Sequence, residues 1–335
     1  MSIAQTVLRH RTAFLKRDGH RLSDEHRHAL SAITRCRTEY YGQLSWHCRD
    51  CQETRHLYRS CGHRSCPCCQ NTDNTLWLER QRRKLLPVNY FMLTFTIPAE
   101  LRGTFWKNQK PLYELLIKTT VGVCRDFAYR DKHLRGEIGQ SAVVHTHTRR
   151  LDYHPHVHLV IPAGAVDSKR RLWRENKTGF LFSHKALATV FRARMLKALS
   201  NAGLLPECKT PAHWVVDCRC VGSGVSALKY LSRYLYRGVV SEKQLLSDEG
   251  GLVTFTYREG GTGKRCMRSV DGAQFVWLLI QHTLPKGFRR VRDFGFLHGN
   301  AKRKRLLVQW CFKISITPQL ASPKNQGFNA ERVVL

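Results

Sequence analysis

The feature that most constrains this chain is a dense group of cysteines in its N-terminal quarter. Six of the thirteen cysteines lie within residues 48–69. Two pairs have the CxxC spacing, Cys48 with Cys51 and Cys66 with Cys69, and each such turn presents two sulfurs on one side. Four thiolates arranged in this way bind one tetrahedral zinc ion, which holds together a small module with little core of its own. The spacing therefore predicts a structural zinc site.

Further ligands within reach leave the composition of this zinc site open. Cys61 lies between the two pairs and is an additional candidate. Cys36 is a candidate for the same site or for a second zinc site. The other potential ligands nearby are His47, His63 and Cys68.

The charge balance indicates a polyanionic partner. The 335 residues include 56 Lys and Arg against 25 Asp and Glu, a formal net charge of +31. So large an excess causes self-repulsion unless a polyanion neutralises it, and nucleic acid is the partner that it favours. Candidate DNA contacts are Arg64 in the cysteine region and Lys302 and Arg303 in a basic run near the C-terminus.

No apolar run reaches the roughly 18 residues that a membrane span needs. Residues 1–17 mix basic and polar residues and have no apolar segment typical of a secretory signal. Reduced cysteines and a cytoplasmic location are expected for such a chain, with no membrane partner.

The pattern of apolar residues predicts strands and helices in a mixed order. A β-branched and aromatic run at 90–97 predicts a central strand, and 142–148 with 157–161 predict a hairpin. Residues 226–237 have helical spacing. We therefore expect an α+β fold, with a central antiparallel sheet flanked by helices and an N-terminal helical and zinc-binding module. The expected parts are an N-terminal helical, zinc-binding and DNA-binding region at 1–87, a sheet core with the later helix at 88–245, and a C-terminal part with a basic tail at 246–335.

A histidine-rich strand is a second candidate metal site. Side chains alternate between the faces of a strand, so His156 and His158 project together while Val157 enters the core. Two imidazoles on one side of a sheet are a ready pair of metal ligands. His145 and His147 share a face of the preceding strand. Either side chain can be the third metal ligand if the two strands pair, and we favour His145.

Two tyrosines on the predicted helix are candidate nucleophiles. Tyr230 and Tyr234 are four residues apart and so lie on one helix face. Such a pair is ordinarily core packing, but this one accompanies a histidine metal site in a very basic chain. A tyrosine hydroxyl can attack a DNA phosphate, which leaves a phosphotyrosine link and a free 3′-hydroxyl. A metal ion would withdraw charge from that phosphate. Arg233 and Arg237 on the same helix are candidate DNA contacts.

Together these motifs resemble the two-tyrosine rolling-circle transposases of the insertion sequence ninety-one family, within the HUH endonuclease superfamily. The resemblance covers roughly residues 20–300. The matching segments are Cys48-x-x-Cys51, SCGHRSCP at 60–67, HPHVH at 154–158, YLSRY at 230–234, HTLPKGF at 282–288 and VRDFG at 291–295.

The resemblance implies an HUH nuclease core that cuts single-stranded DNA at element ends with Mg²⁺ or Mn²⁺. It implies Tyr230 and Tyr234 as nucleophiles, and His145 matches a histidine that relatives carry ahead of the HUH strand. The chain departs from the family at residues 148–150, where relatives often carry an Asn/Gln-bearing stretch and this chain has Thr-Arg-Arg. The expected partner is single-stranded or hairpin DNA of a mobile element, bound in the nucleoid.

Two alternative functions are compatible with the same motifs. One is a plasmid relaxase or replication initiator of the same superfamily, although the cysteine module favours a transposase. The other is a non-catalytic zinc-dependent DNA-binding protein. The presence of both histidines and both tyrosines argues against this second alternative.

Overall fold

A computed structural model describes residues 1–69, 71–236, 239–260 and 262–313, with side chains given throughout these ranges except at 71–74, 230 and 233–236. The helices are α1 (Ile3–Asp18), α2 (Asp24–Arg35), α3 (Asn71–Arg82), α4 (Arg102–Lys107), α5 (Gln109–Arg130), α6 (His184–Asn201), α7 (Val225–Tyr236), α8 (Gly272–Ile280) and α9 (Lys302–Cys311). The strands are β1 (Gln43–His47), β2 (Thr54–Tyr58), β3 (Tyr90–Thr96), β4 (Gln140–His147), β5 (Tyr153–Pro162), β6 (Gly164–Asp167), β7 (Leu172–Glu175), β8 (Val215–Cys220), β9 (Leu245–Glu249), β10 (Leu252–Arg258), β11 (Arg265–Asp271) and β12 (Val291–Phe294).

A five-stranded antiparallel sheet forms the centre of the molecule, in the order β12-β4-β5-β3-β8. The histidine-rich strand β5 occupies its middle position, between β4 and β3. Each strand here carries apolar residues on both faces, which is the pattern of a sheet covered on both sides. The predicted α+β fold with a central antiparallel sheet flanked by helices is confirmed.

One face of this sheet packs against helices α5 and α6. Val157 and Leu159 of β5 point to this side, where they join Leu116 of α5 and Phe191 of α6 in the largest apolar cluster. All four side chains are fully buried. Burial of a side chain of this size contributes about 1.5–3 kcal/mol. This face of the sheet is therefore part of the core. The strand residues that alternate with these point to the opposite face of the sheet.

The opposite face carries helices α3 and α7. Val160 of β5 and Val143 of β4 point to this side and share an apolar cluster with Trp77 of α3 and Leu231 of α7. Helix α3 also packs directly along α7. The helix that contains the two candidate tyrosines therefore lies on a defined face of the central sheet.

The N-terminal helices pack against the C-terminal part of the chain. Phe14 of α1 and Leu30 of α2 belong to the same buried cluster as Phe255 of β10 and Phe275 of α8. Strands β9, β10 and β11 form a separate antiparallel sheet beside this cluster. Residues of the expected first and third parts thus share one core, and the division of the chain at 87 and 245 stays a prediction.

Strands β1 and β2 form a two-stranded hairpin whose ten residues are all exposed. Among the residues that the structure describes, no helix has the length and apolar composition required to cross a membrane.

Candidate functional site

The three predicted histidines lie together on the central sheet. His145 of β4 is directly opposite His156 of β5, and His158 follows two residues later on the same face. The ring centroids are 5.1 Å apart for His145 and His156, 4.4 Å for His145 and His158, and 4.9 Å for His156 and His158. One nitrogen of each ring lies within 4.8 Å of the others. Three imidazoles arranged in this way could hold one metal ion.

Hydrogen bonds to the Nδ1 atoms orient two of these rings. Nδ1 of His156 lies 2.7 Å from the backbone carbonyl oxygen of His154 and donates its proton to it. Nδ1 of His158 shares a 2.9 Å hydrogen bond with the hydroxyl of Thr94, which pairs with His158 across β3 and β5. Such bonds direct the opposite nitrogen, Nε2, to a metal. Thr94 was not foreseen, because only the strand register brings it to His158.

The burial of these histidines keeps their imidazoles neutral. Burial lowers the pKa of His156 to about 4. Burial also lowers the pKa of His145 and of His158 well below the ordinary value, and mutual repulsion between the rings adds to this effect. Because metal ions bind the neutral ring, the site is in its metal-binding form at neutral pH without having to lose protons.

The predicted tyrosine helix lies on the same face of the sheet as these histidines. Val143 and Val160 alternate in phase with His145 and His158 along β4 and β5. Both valines pack with Ala227, Leu228 and Leu231 of α7 in one buried cluster. Tyr230 and Tyr234 belong to α7, and their side chains lie outside the described part of the structure.

A glycine allows α7 to start close to the sheet. Gly224 immediately precedes the helix and has φ +75°, a left-handed conformation that favours glycine. A Cβ atom at this position would lie 2.7 Å from the ring of Tyr90 on β3. Any other residue here would push the start of α7 away from the sheet.

Four cysteine thiols form a second candidate metal site. Cys36 follows α2, whereas Cys61, Cys66 and Cys69 come from the loop that follows the β1–β2 hairpin. Their sulfur atoms all lie within 4.8 Å of one another, with 3.4 Å between Cys36 and Cys69 and 3.5 Å between Cys61 and Cys69. Sulfurs around a tetrahedral zinc, with bonds of about 2.3 Å, are separated by about 3.8 Å. The four thiols therefore fit one zinc ion.

The electrostatic surroundings of these thiols also suit a cation. Burial raises the pKa of Cys61 to about 12 and also raises the pKa of Cys66. The Cys61 and Cys66 thiols consequently keep their protons unless a positive charge is placed beside them. A divalent cation supplies that charge and binds them as thiolates.

The structure places Cys48 and Cys51 outside this group of four. Both are exposed in the turn between β1 and β2, and hydrogen bonds from the backbone and thiol of Cys51 lower the pKa of Cys48. A five-residue strand spans about 17 Å. The turn of the hairpin, with Cys48 and Cys51, is therefore separated by the length of the strands from the hairpin base, which adjoins Cys61. Of the candidate ligands, the structure brings Cys61, Cys66 and Cys69 together with Cys36 and leaves Cys48 and Cys51 apart.

The predicted DNA contacts occupy different surroundings. Lys302 and Arg303 are exposed at the start of α9, whereas Arg233 belongs to α7 and Arg237 lies outside the described residues. The Arg64 guanidinium donates to the backbone carbonyls of residues 284, 285 and 288, at 2.7 Å for Pro285 and 3.0 Å for Phe288. Arg64 thereby ties the cysteine loop to the HTLPKGF segment.

His282 of that segment is a further buried histidine beside the site. Its Nε2 donates to the carbonyl oxygen of Leu151 at 2.9 Å, and its Nδ1 accepts from the hydroxyl of Thr146 at 3.2 Å. Its ring centroid lies 4.9 Å from that of His147. Burial lowers the pKa of His282 to about 4.

Acid should therefore destabilise the protein, in part through His282. The unfolded chain binds a proton near pH 6.5 but the folded chain does so only near pH 4, so this contribution to stability is present above pH 6.5 and is lost as the pH falls towards 4. Between pH 6.5 and pH 4, the free energy of unfolding of the wild type should fall by on the order of 1 kcal/mol more per pH unit than that of a His282→Gln variant. Urea unfolding at several pH values measures this difference. The prediction would be contradicted if the free energy of unfolding depended on pH in the same way in both proteins.

Two protein-family models match most of the chain. The model described as "Transposase zinc-binding domain" matches residues 6–97, and the model described as "Putative transposase" matches residues 139–305. The first match covers all four clustered cysteines. The second covers the three histidines and helix α7. The predicted zinc-binding region is confirmed by the first match.

Two curated relatives are similar over most of their length. Putative transposase y4qJ of Sinorhizobium fredii is 32% identical over 311 residues, which covers 86% of this chain and 78% of that protein. The transposase for insertion sequence element IS801 of Pseudomonas savastanoi pv. phaseolicola is 25% identical over 313 residues, covering 88% of this chain and 74% of that protein.

Among solved structures, the conjugative relaxase TrwC in complex with mutant OriT DNA is similar at a TM-score of 0.30 and 13% identity, over 68% of this chain and 75% of that chain. This similarity is too low to support an argument. The identification depends instead on the family models and on the curated relatives. The chain belongs to the transposases of the insertion sequence ninety-one family.

Proposed function

We propose that this transposase nicks and rejoins single-stranded DNA at the ends of its insertion sequence through a 5′-phosphotyrosine intermediate, as one step of rolling-circle transposition. The observation that carries the proposal is the placement of the histidine cluster and helix α7 on one face of the central sheet. A DNA strand bound on this face would meet the histidines and the tyrosine helix together. The opposite face is filled by the apolar side chains of α5 and α6.

In this proposal His145, His156 and His158 hold the catalytic Mg²⁺ or Mn²⁺. Three neutral imidazoles with ligand nitrogens within 4.8 Å of one another fit one such ion. When bound, the metal withdraws charge from the scissile phosphate. His154 and Thr94 orient the rings through their hydrogen bonds to Nδ1.

The tyrosines carry the covalent chemistry. The phenol oxygen of Tyr230 or Tyr234 attacks the phosphorus, the bond from phosphorus to the 3′-oxygen breaks, and that oxygen leaves as a 3′-hydroxyl with a proton. The 5′-phosphate stays on the tyrosine. Attack by a 3′-hydroxyl on the phosphotyrosine reverses these bond changes and rejoins DNA. Two tyrosines allow two cut ends to be held in succession.

The structural zinc ion is assigned to Cys36, Cys61, Cys66 and Cys69. This assignment rests on the distances between their sulfur atoms, and on the burial that raises the pKa of Cys61 and of Cys66 so that a cation is needed to hold these two as thiolates. Zinc here joins the end of α2 to the loop after the β1–β2 hairpin. Since α2 packs on α8, the ion also connects the cysteine loop to the shared core.

DNA is the proposed partner, mainly as single strands or hairpin ends. The net charge of +31 supports binding to a polyanion. Lys302 and Arg303 are exposed and available for backbone phosphates, and Arg233 and Arg237 are proposed for the same role. The protein would act in the cytoplasm, on DNA of the nucleoid.

The function is tested by capturing the covalent adduct. Labelled single-stranded DNA from the element ends is incubated with protein and Mn²⁺, denatured, and resolved on a gel. A labelled protein band that requires Mn²⁺ and resists denaturation supports the proposal. DNA binding without any adduct, at every end sequence tested, would favour a non-catalytic DNA-binding protein.

The hydrogen bond between Nδ1 of His158 and the hydroxyl of Thr94 should strengthen metal binding. Replacing Thr94 with Val removes the hydroxyl but keeps the β-branched shape, so we expect Mn²⁺ affinity to fall about 10- to 100-fold. Thr94→Ser keeps the hydroxyl and should restore most of the affinity. Calorimetric titration with Mn²⁺ measures both variants. Equal affinities for Val and Ser at this position would show that the hydrogen bond has no such role.

A further inference from the structure

The β1–β2 hairpin has one apolar face that no described element covers. Its register places Leu44 opposite Leu57 and Trp46 opposite Arg55, and directly opposite residues share a face. Leu44 is 49% exposed, Trp46 59% and Leu57 59%. Three adjacent large apolar side chains on a protruding hairpin are unusual for a surface without a partner.

The other face of the hairpin carries two hydrogen-bonded polar pairs and, at its base, the exposed Tyr58. Ser45 bonds to His56 at 2.8 Å, and His47 bonds to Thr54 at 3.1 Å. These pairs fix the strands and leave the apolar residues on the opposite side. The hairpin therefore has two chemically distinct faces, and the apolar one is available for a ligand.

Charge decides what kind of partner this face can bind. Arg55 lies on the face beside Trp46 and pairs with Glu53 at 3.0 Å, while Arg49 lies in the turn and Arg59 at the base. A second copy of the chain also carries a net charge of +31 and would be repelled. A polyanion is attracted by the same charge.

The shape of the face favours unpaired bases over a duplex. Trp46 offers a flat ring and the two leucines offer aliphatic surface, and bases of single-stranded nucleic acid stack on such platforms. In a duplex the base faces are stacked on one another, so only their edges are accessible. An arginine beside the platform suits the phosphates that connect stacked bases.

We infer that this face of the hairpin, formed by Leu44, Trp46, Leu57 and Arg55, binds unpaired bases of single-stranded DNA. The inference deepens the proposed function, on which it rests for the identity of the DNA, by assigning a binding surface that lies outside the histidine site. The hairpin is held at its base because Cys36 precedes it and Cys61 follows it in the four-thiol group. Bound zinc would therefore fix the orientation of the platform.

The test is a Trp46→Ala substitution, measured in full-length protein that also carries Tyr230→Phe and Tyr234→Phe so that no covalent trapping occurs. Binding of a roughly 20-nucleotide oligothymidine, followed by fluorescence anisotropy, should weaken about 5- to 100-fold, because stacking on each aromatic side chain contributes on this scale. Trp46→Phe should retain most of the affinity. The dependence of binding on salt should stay the same, since no phosphate contact is removed.

Trp310 supplies a matched control, because it is 76% exposed on α9 and lies outside the hairpin. Trp310→Ala should change oligothymidine affinity less than about 2-fold, well below the loss that stacking on one aromatic ring accounts for. Zinc content should be equal in all variants, which shows that the cysteine module is intact.

Three results would overturn the inference. The first is equal oligothymidine affinity for Trp46→Ala and its parent. The second is an equal loss of affinity for a duplex of the same length, which would show that the face does not select unpaired bases. The third is a parent that is dimeric and becomes monomeric on Trp46→Ala, which would make the face a contact between copies. If the selective loss is found while the wild type forms no adduct with end DNA, the surface stands and the proposed nuclease function fails.

Discussion

Replacing both Tyr230 and Tyr234 with phenylalanine should abolish the covalent DNA adduct while DNA affinity stays within about 2-fold of the wild type. Each change removes one oxygen atom, the nucleophile, and keeps the aromatic ring. The other tyrosine of this helix, Tyr236, is not spaced with the pair. We therefore expect the loss of adduct to exceed about 1,000-fold, a scale consistent with removal of a nucleophile. Gel analysis of adducts and anisotropy of labelled DNA measure the two quantities.

Tyr236 provides the control for this double change, because it belongs to the same helix but is not spaced with the other two. Tyr236→Phe should form adducts at the wild-type rate. The single variants show how the two nucleophiles divide the reaction, since each should still cut once if either tyrosine can act alone. Adducts that persist in the double variant would assign the nucleophile elsewhere and would refute the proposed mechanism.

Replacing Cys66 with serine should remove the structural zinc and unfold the cysteine module. Cys66 is fully buried and is one of the four clustered thiols. A serine hydroxyl is a poor zinc ligand, and binding of a structural zinc contributes about 10–16 kcal/mol to small zinc-dependent modules. We expect zinc to fall from about one ion per chain towards none, together with a large drop in melting temperature. Elemental analysis of the purified protein measures the zinc.

The controls for the zinc prediction are other cysteines of this chain. Cys124 is also fully buried but lies in the main core, so Cys124→Ser should lower stability and keep the zinc. Cys48→Ser and Cys51→Ser should keep the zinc as well, because both thiols lie in the exposed hairpin turn. Loss of zinc from either hairpin variant, with retention in Cys36→Ser, would reverse the ligand assignment.

The tie between the cysteine loop and the HTLPKGF segment has a structural consequence for both metal sites. Arg64 lies in the loop that contains Cys61 and Cys66, and it donates to carbonyls that follow His282. His282 in turn packs on His147, two residues from the histidine cluster. Zinc removal is therefore expected to disturb a region that adjoins the histidine cluster as well as the N-terminal module itself.

Local patterns were sufficient to predict several parts of this molecule. The alternation of side chains on a strand placed His156 and His158 on one face, and the structure confirms that placement, because the two-residue period is a property of every strand. The strand at 90–96 and helix α7 were also predicted from the apolar pattern, and their observed boundaries lie within one or two residues of the predicted ones. The resemblance to the family, given on the cysteine, histidine and tyrosine motifs, is confirmed by the family models and the relatives.

The composition of the sites depended on contacts between distant segments. The spacing of Cys48 and Cys51 is as favourable for zinc as that of Cys66 and Cys69, yet the hairpin holds the first pair away from the cluster and α2 brings Cys36 to it. Thr94 meets His158 only through the register of β3 and β5. Register and ligand sets of this kind depend on the path of the whole chain.

The sequence alone established the charge, the kinds of metal ligand, the candidate nucleophiles and the strand that carries the paired histidines. Each of these depends only on composition or on short-range periodicity. Tertiary structure alone decided which four thiols meet, which hydroxyl orients a histidine, and that the tyrosine helix covers the histidine face. The physical reason is that a side chain's face on its own strand is set by neighbouring residues, whereas its partner is set by packing of segments that lie far apart in the chain.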